Sequence, residues 1–155
     1  MTADLRALTL KTPWAYAVTD LGKALENRTW RPPGALVGHR FAIHAGKVPA
    51  LGSREAWVEI KEAVWWMDSR SLIPKSKDKK FTQAELIRRG SAIVALATLD
   101  GFVTESDSPW FVGPFGWQLA DIFVLPEPIQ CRGAQRLWKV PPDVAARVLA
   151  QEPRP

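Results

Sequence analysis

Short apolar segments, interrupted by Pro and Gly, predict a chain of small strands with helices between them. Strands are indicated where apolar and β-branched residues alternate or run together between turn residues. Helices are indicated by Pro in a first turn, by a capping-box spacing and by apolar stripes of helical period. The predicted strands are 8–11, 26–30, 40–45, 92–99, 117–125 and 136–140, and the predicted helices are 14–21, 53–67, 82–90 and one beginning at Pro142.

The second predicted helix has one continuous apolar face. The residues of this stripe are Trp57, Ile60, Val64 and Met67. Because residues at this spacing share one side of a helix, core packing is their expected role. Trp65 and Trp66 lie on the same helix, and so many indoles leave a partner-binding surface as an alternative.

Five or six short strands with helices at the periphery predict an α+β domain built on a small, mostly antiparallel β-barrel. The chain has 155 residues, of which 46% are hydrophobic, and it shows no internal repeat. A domain of this size buries roughly 70% of the surface of its unfolded chain, so it needs no metal or disulfide to fold. We therefore expect one domain over residues 1–155.

The sequence gives no sign of a membrane segment or a metal site. Its longest uncharged stretch, 108–120, contains Pro and Gly and is shorter than the roughly 20 apolar residues of a spanning helix. No secretory signal is visible, and a single cysteine, Cys131, cannot form an internal disulfide, so we expect a cytoplasmic protein. His39 and His44 lack the spacing of metal ligands, and no metal or other cofactor is expected.

The charge of the chain favours an anionic partner and is unevenly distributed. The net charge is +5 and the pI is about 9.7, yet residues 91–130 contain no Lys or Arg. The segment DSRSLIPKSKDKKF, 68–81, is basic and is predicted to be a loop, either a solvated surface or a clamp on phosphates. Its candidate phosphate contacts are Arg70, Lys75, Lys77, Lys79 and Lys80.

Tryptophan is the dominant aromatic residue, with eight copies against six Phe and one Tyr. The segment SPWFVGPFGW is broken by Gly and Pro, so some of its rings are expected in a loop. Such a segment is either a platform for stacking on an uncharged base or a plug that closes a barrel end. Its four rings are Trp110, Phe111, Phe115 and Trp117.

A cation, a carboxylate and a guanidinium are close together at the start of the second predicted strand. In an extended strand Glu26, Arg28 and Trp30 share one face, and the turn at Gly22 can bring Lys23 back toward Glu26. Such a group can hold a flat heterocycle, because an indole stacks, a carboxylate accepts from an exocyclic amine and the cations donate to a carbonyl or phosphate. The alternative is a surface ion pair beside an exposed lysine.

The spacing Lys23-x-x-Glu26-x-Arg28 resembles the K-x-x-E-x-R core of the ASCH domain, which belongs to the PUA-like superfamily of RNA-associated β-barrels. The family pattern has Gly two positions before the Lys, whereas this chain has Leu21 there and Gly22 next to Lys23. Other segments similar to the family, within residues 5–148, are LTLKTPW (8–14), IHAGK (43–47), WFVGPFGW (110–117) and GAQRLW (133–138).

The resemblance implies a barrel with a cleft over the motif, and binding of RNA or nucleobases. Some small members are similar to amidohydrolases that remove the acyl group of N4-acylated cytidine, and ribonuclease activity is attributed to others. In the acylcytidine hydrolases the matching lysine is catalytic, a Thr replaces Glu26, and a distant Glu assists. Glu85 is the nearest candidate for that distant residue.

Two main hypotheses follow, and both concern RNA or a nucleoside or nucleotide ligand. A binding module would hold the base beside Lys23, Glu26 and Arg28. A hydrolase would use these three as its candidate catalytic residues, either on an acylated nucleoside or on RNA, but a close Glu26 opposes deprotonation of Lys23. His44 neighbours the core position 43 and is expected to face the cleft or solvent. The candidate ligand contacts are Trp14, Trp30, His44, Lys47, Trp110, Phe111, Phe115 and Trp117.

Overall fold

The computed structural model describes residues 4–49, 53–75 and 83–153, and in these residues six strands and four helices follow one another in the predicted order. The strands are β1 (Arg6–Leu10), β2 (Leu25–Arg28), β3 (Arg40–Ala45), β4 (Ala92–Val103), β5 (Phe115–Gln130) and β6 (Leu137–Lys139). The helices are α1 (Thr12–Asp20), α2 (Arg54–Ser69), α3 (Gln83–Arg89) and α4 (Pro142–Leu149).

The strands form one mixed sheet in the order β2-β5-β4-β3-β1-β6. Neighbouring strands are antiparallel except β1 and β3, which are parallel. The long β4–β5 pair contains three shifts of register, and such bulges bend and twist a hairpin. The sheet curls into a half-barrel with α1 and α4 packed on its two faces, which confirms the predicted α+β fold on a mostly antiparallel barrel-like sheet.

Apolar side chains pack on both faces of the central strands. Phe41 and Ile43 belong to a cluster that includes residues of α1, while Ala42 and Leu96 pack on the opposite face with α4. Strands covered on both sides read as apolar runs rather than as an alternation. This explains why β3 and β4 are rich in apolar residues at consecutive positions.

The apolar stripe of α2 packs into the protein, as predicted. Trp57 and Met67 are buried, and Ile60 and Val64 are half-buried. Trp65 lies outside this stripe and is 70% exposed.

Strand β2 is shorter than predicted, and this changes the position of Trp30. The strand ends at Arg28, and the carbonyl of Trp30 accepts a hydrogen bond from the indole of Trp117 at 3.1 Å. Pro32 and Pro33 follow and have no N–H for a sheet ladder. Trp30 therefore leaves the strand and does not share a strand face with Arg28.

Candidate functional site

Lys23, Glu26 and Arg28 form a chain of ion pairs at the start of β2. The Lys23 ammonium donates to Glu26 Oε1 at 2.8 Å, and Arg28 Nη2 lies 2.9 Å from Glu26 Oε2. The same Arg28 nitrogen donates to the carbonyl oxygen of Thr9 at 2.8 Å. The side chains of Lys23 and Glu26 are only 2% and 9% exposed, so the alternative of a surface ion pair is wrong.

The turn after α1 directs Lys23 toward Glu26. The backbone N–H groups of Leu21 and Lys23 both donate to the carbonyl of Ala17, at 3.0 and 3.1 Å. Gly22, between them, has φ +73°, a left-handed conformation that glycine adopts without the steric penalty of a Cβ. The glycine next to Lys23 thus makes the turn in this chain.

The ion pairs lie in a cleft of about 640 Å³ between the sheet, α1 and α2. Trp14, Trp66 and Trp110 line it, and we call it the tryptophan cleft. Trp14 and Trp66 meet edge to face with ring centroids 5.6 Å apart. The Lys23 ammonium lies 5.7 Å from the centroid of the Trp14 ring. Aromatic walls thus surround a charged floor.

Helix α2 forms a wall of the cleft that the sequence analysis missed. Glu59, Glu62 and Trp66 all line the tryptophan cleft. Their spacing of three and four residues is a second helical stripe, beside the apolar one. In the sequence, two glutamates on a helix are typical of a face exposed to solvent. The signal that could have indicated a ligand site is the helical spacing that places them on the same side as a tryptophan.

Asn27 holds the aromatic segment against β2. Its amide nitrogen donates to the carbonyl of Trp110 at 2.9 Å, and its amide oxygen accepts from the backbone N–H groups of Val112 and Gly113 at 2.8 and 2.9 Å. These three hydrogen bonds position Trp110 at the cleft.

The other predicted stacking rings lie elsewhere. Trp117 is completely buried and meets Trp30 edge to face, with centroids 4.8 Å apart. Phe115 packs edge to face on Phe102, and Phe111 lies against glycines of its own segment. Of the four rings of the segment, Trp110 alone lines the tryptophan cleft.

His44 is buried and does not face the cleft or solvent, contrary to the sequence expectation. The indole N–H of Trp138 donates to Thr9 Oγ1, and that hydroxyl lies 3.1 Å from His44 Nδ1. His44 Nε2 lies 2.7 Å from the carbonyl of Cys131, which can only accept. A neutral ring with the proton on Nε2 satisfies every partner. The expectation assumed that one face of β3 is open, whereas side chains cover both of its faces.

Burial makes His44 a source of pH-dependent stability. Burial lowers the pKa of His44 below its usual 6.5, although the hydrogen bond to the Cys131 carbonyl opposes this. Below about pH 6.5, His44 is protonated in the unfolded chain but stays neutral in the folded chain. The free energy of unfolding therefore keeps its full His44 contribution above this pH and decreases as the pH falls below it. We expect denaturant midpoints to decrease from pH 7 to pH 5, less steeply in His44→Gln. The exposed His39→Gln should keep the wild-type slope, and equal slopes in wild type and His44→Gln would contradict the prediction.

The basic segment after α2 begins beside the cleft. The Arg70 guanidinium stacks on Trp66, 4.1 Å from the ring centroid, and Lys75 is exposed. Lys47 is also exposed, but it does not line the tryptophan cleft. The remaining predicted phosphate contacts, Lys77, Lys79 and Lys80, lie outside the described residues.

Glu85, considered as a distant acid, is engaged outside the cleft. Its carboxylate pairs with Arg88 at 2.8 Å and with Arg89 at 2.9 Å.

In the described ranges no group of three or more His, Cys, Asp and Glu residues has an arrangement suited to a metal ion. Among the helices described, none combines the length and apolar character needed to cross a membrane.

The curled sheet and its cleft define a small barrel-like α+β domain with a charged floor between aromatic walls. The structure is similar to the crystal structure of ASCH from Zymomonas mobilis, with a TM-score of 0.54 and 12% sequence identity, over 95% of this chain and 94% of that chain. The chain therefore has an ASCH-like fold, as the sequence resemblance predicts. At this identity the likeness concerns the fold alone. No family model and no curated protein sequence matches the chain.

Proposed function

We propose that the tryptophan cleft binds a nucleobase, presented by RNA or by a nucleoside. The observation that carries this proposal is the set of three indoles, Trp14, Trp66 and Trp110, around a charged floor. Stacking of a base on an aromatic side chain contributes about 1–3 kcal/mol and tolerates any base, since each has a π face. A flat ring with polar edges matches both parts of this cleft.

Polar atoms of the floor support the proposal because they retain hydrogen-bonding capacity. An ammonium has three N–H donors, and that of Lys23 donates to Glu26. Arg28 Nε is buried and has no hydrogen-bond partner among the described residues. This Nε is enclosed, but the Arg28 side chain is 21% exposed and a guanidinium has five N–H donors, so another of them can serve a base carbonyl or ring nitrogen. The Glu26 carboxylate has further lone pairs for an exocyclic amine.

The neighbouring basic segment suits the phosphates next to a bound base. Arg70 lies against Trp66 at the cleft, where its Nη1 donates to the Trp66 carbonyl at 3.1 Å, and a guanidinium has further N–H donors for a phosphate. In this proposal Arg70 and the lysines that follow it contact phosphate, and each contact increases the dependence of binding on salt.

Replacing Trp66 by alanine should weaken nucleoside binding by about 10- to 100-fold, since one stacking contact of 1–3 kcal/mol is lost. Isothermal titration with a panel of nucleosides, including acylated and methylated cytidines, measures this. Trp65→Ala is the matched control, because Trp65 is the adjacent residue of the same helix but is 70% exposed outside the cleft. Thermal melting verifies that both variants fold.

The proposal fails if no nucleoside or short RNA binds the wild-type chain. It also fails if Trp65→Ala and Trp66→Ala reduce affinity equally while both proteins remain folded, because the cleft would then have no special part in binding.

A second candidate function is hydrolysis of an N4-acylated cytidine, which is favoured by the carboxylates that line the same cleft as Lys23 and could act on a water. Glu26 accepts from Lys23, and Glu59 and Glu62 lie across the cleft. Water would add to the acyl carbon, the bond to N4 would break, and the N4 amine would leave with a proton to give cytidine and a carboxylic acid. Chromatography of N4-acetylcytidine incubated with wild type and Lys23→Met separates binding from turnover, and a short RNA in the same assay reveals ribonuclease activity.

A further inference from the structure

A second concavity of the molecule, of about 1070 Å³, is lined by arginines. Arg6 on β1, Arg31 after β2 and Arg136 before β6 contribute to it, together with Trp30. We call it the arginine groove. None of these three arginines is among the residues predicted from the sequence to bind a ligand or phosphate.

A fourth arginine that lines the groove, Arg40, is paired with Glu152, whereas the other three have no such partner among the described residues. Within the part of the chain that the structure describes, no carboxylate lies within ion-pair distance of Arg6, Arg31 or Arg136. The acidic residue that lines the groove, Asp4, lies 3.3 Å from the ammonium of Lys139. The groove thus carries an excess of positive charge, and all three arginines are exposed.

Arg136 lies over the ring of Trp30. Its guanidinium stacks on Trp30, 4.3 Å from the ring centroid, and its backbone has φ +58°, which a residue with a side chain rarely adopts. Stacking fixes the plane of a guanidinium and leaves the N–H donors at its edge available to an anion. Planar donors of this kind match the paired oxygens of a phosphate.

Residues that line the arginine groove are close in sequence to residues that line the tryptophan cleft, on β1 and at the end of β2. On β1, Thr9 lines the cleft and Arg6 lines the groove, roughly 10 Å apart at about 3.3 Å per residue. At the end of β2, Arg28 lines the cleft, and Trp30, two residues later and outside the strand, lines the groove. The backbone positions that line the two concavities are therefore separated by roughly 10 Å or less along these segments.

We propose that the arginine groove holds the sugar-phosphate backbone of a single-stranded polynucleotide whose base occupies the tryptophan cleft. The inference rests on the proposed function, and it specifies the ligand as a strand rather than a free nucleoside. Arg6, Arg31 and Arg136 contact successive phosphates. Recognition by phosphate alone would accept RNA and DNA, and contact with a 2′-hydroxyl would favour RNA.

The test measures the binding of fluorescein-labelled RNA and DNA by fluorescence anisotropy, from about 50 to 200 mM salt. The oligonucleotides have about 8 nucleotides, a length within the range that small single-strand-binding folds cover. Each phosphate contact contributes about 0.7 to the slope of log affinity against log salt for a single strand. We expect Arg6→Ala/Arg31→Ala/Arg136→Ala to lower this slope by about 2 and to weaken binding at least about tenfold.

A triple variant of equal charge provides the control. Arg54, Lys61 and Arg147 are exposed and lie outside both concavities, so replacing all three by alanine removes the same net charge elsewhere. The control should bind the strand nearly as well as wild type. Nucleoside affinity should be unchanged in both triple variants, and melting confirms that they fold. Single substitutions at Arg6 and Arg31, away from the stacked pair, serve if the triple variant is unstable.

Several results would overturn the inference. If the groove variant keeps the wild-type affinity and salt slope, or if the control loses as much affinity, the strand does not lie in this groove. If nucleosides bind but no oligonucleotide binds more tightly, the strand inference fails and the base-binding function survives. If neither binds, the proposed function itself fails.

Discussion

Replacing Glu26 by glutamine is expected to lower the free energy of unfolding by about 3–5 kcal/mol, because it leaves buried cations without their counterion. Glu26 bridges Lys23 at 2.8 Å and Arg28 at 2.9 Å, and the lysine side chain is 2% exposed. The loss of attraction is not compensated by water at this depth. Denaturant unfolding of wild type and Glu26→Gln measures the difference.

A double-mutant cycle distinguishes an unpaired charge from a general packing defect. Lys23→Met alone should also destabilise the protein. The double variant Lys23→Met/Glu26→Gln should lose much less free energy of unfolding than the sum of the two single losses, because the second substitution removes a buried charge that the first leaves unpaired. Additive effects would contradict this account.

The protein contains a matched exposed pair for comparison. Lys11 and Glu59 form an ion pair whose side chains are 68% and 63% exposed. Glu59→Gln should change the free energy of unfolding by at most about 1 kcal/mol, since water solvates an isolated surface cation well. The same chemical change thus gives a large or a small effect according to burial alone.

Local patterns were sufficient to predict the order of the elements. The strand predicted at 40–45 is observed as Arg40–Ala45, and the apolar stripe of α2 is buried at Trp57 and Met67. These predictions depend on neighbours in sequence. The end of β2 was less predictable, because the carbonyl of Trp30 accepts a hydrogen bond from the indole of Trp117, which is far away along the chain.

The candidate site also has one part that local sequence predicts and another part that depends on tertiary packing. Lys23, Glu26 and Arg28 are close in sequence, so one turn and one short strand bring them together. The wall from Trp66 depends on how α2 docks, and His44 is buried because β3 is covered on both faces, which no local spacing reveals.

The uneven charge of the chain also has a three-dimensional basis that its linear distribution did not show. Trp110, from the segment without Lys or Arg, lines the tryptophan cleft. The arginines of the groove come from three separate segments, at Arg6, Arg31 and Arg136, and none belongs to the lysine-rich run. Folding therefore brings these three arginines together in one basic groove, although they are far apart in the sequence.

Replacing Asn27 by alanine is expected to lower the free energy of unfolding by about 2–4 kcal/mol and to weaken nucleoside binding by about tenfold. Asn27 makes three hydrogen bonds to the backbone of Trp110, Val112 and Gly113. Each contributes about 0.5–1.5 kcal/mol, and the partly buried groups that lose their partners add to the cost. Trp110 would then lose the support that holds it at the cleft, so its stacking contact weakens.

Two further substitutions test the cause. Asn27→Asp keeps the acceptor for the two N–H groups but places an oxygen against the Trp110 carbonyl, so its stability should lie between those of Asn27→Ala and wild type. Thr29→Ala, at an exposed position two residues later, should leave stability and binding unchanged. Denaturant unfolding and nucleoside titration measure both quantities. Wild-type affinity in a folded Asn27→Ala protein would mean that binding does not need Trp110 held by Asn27, and the wall formed by this indole would then have no part in recognising the base.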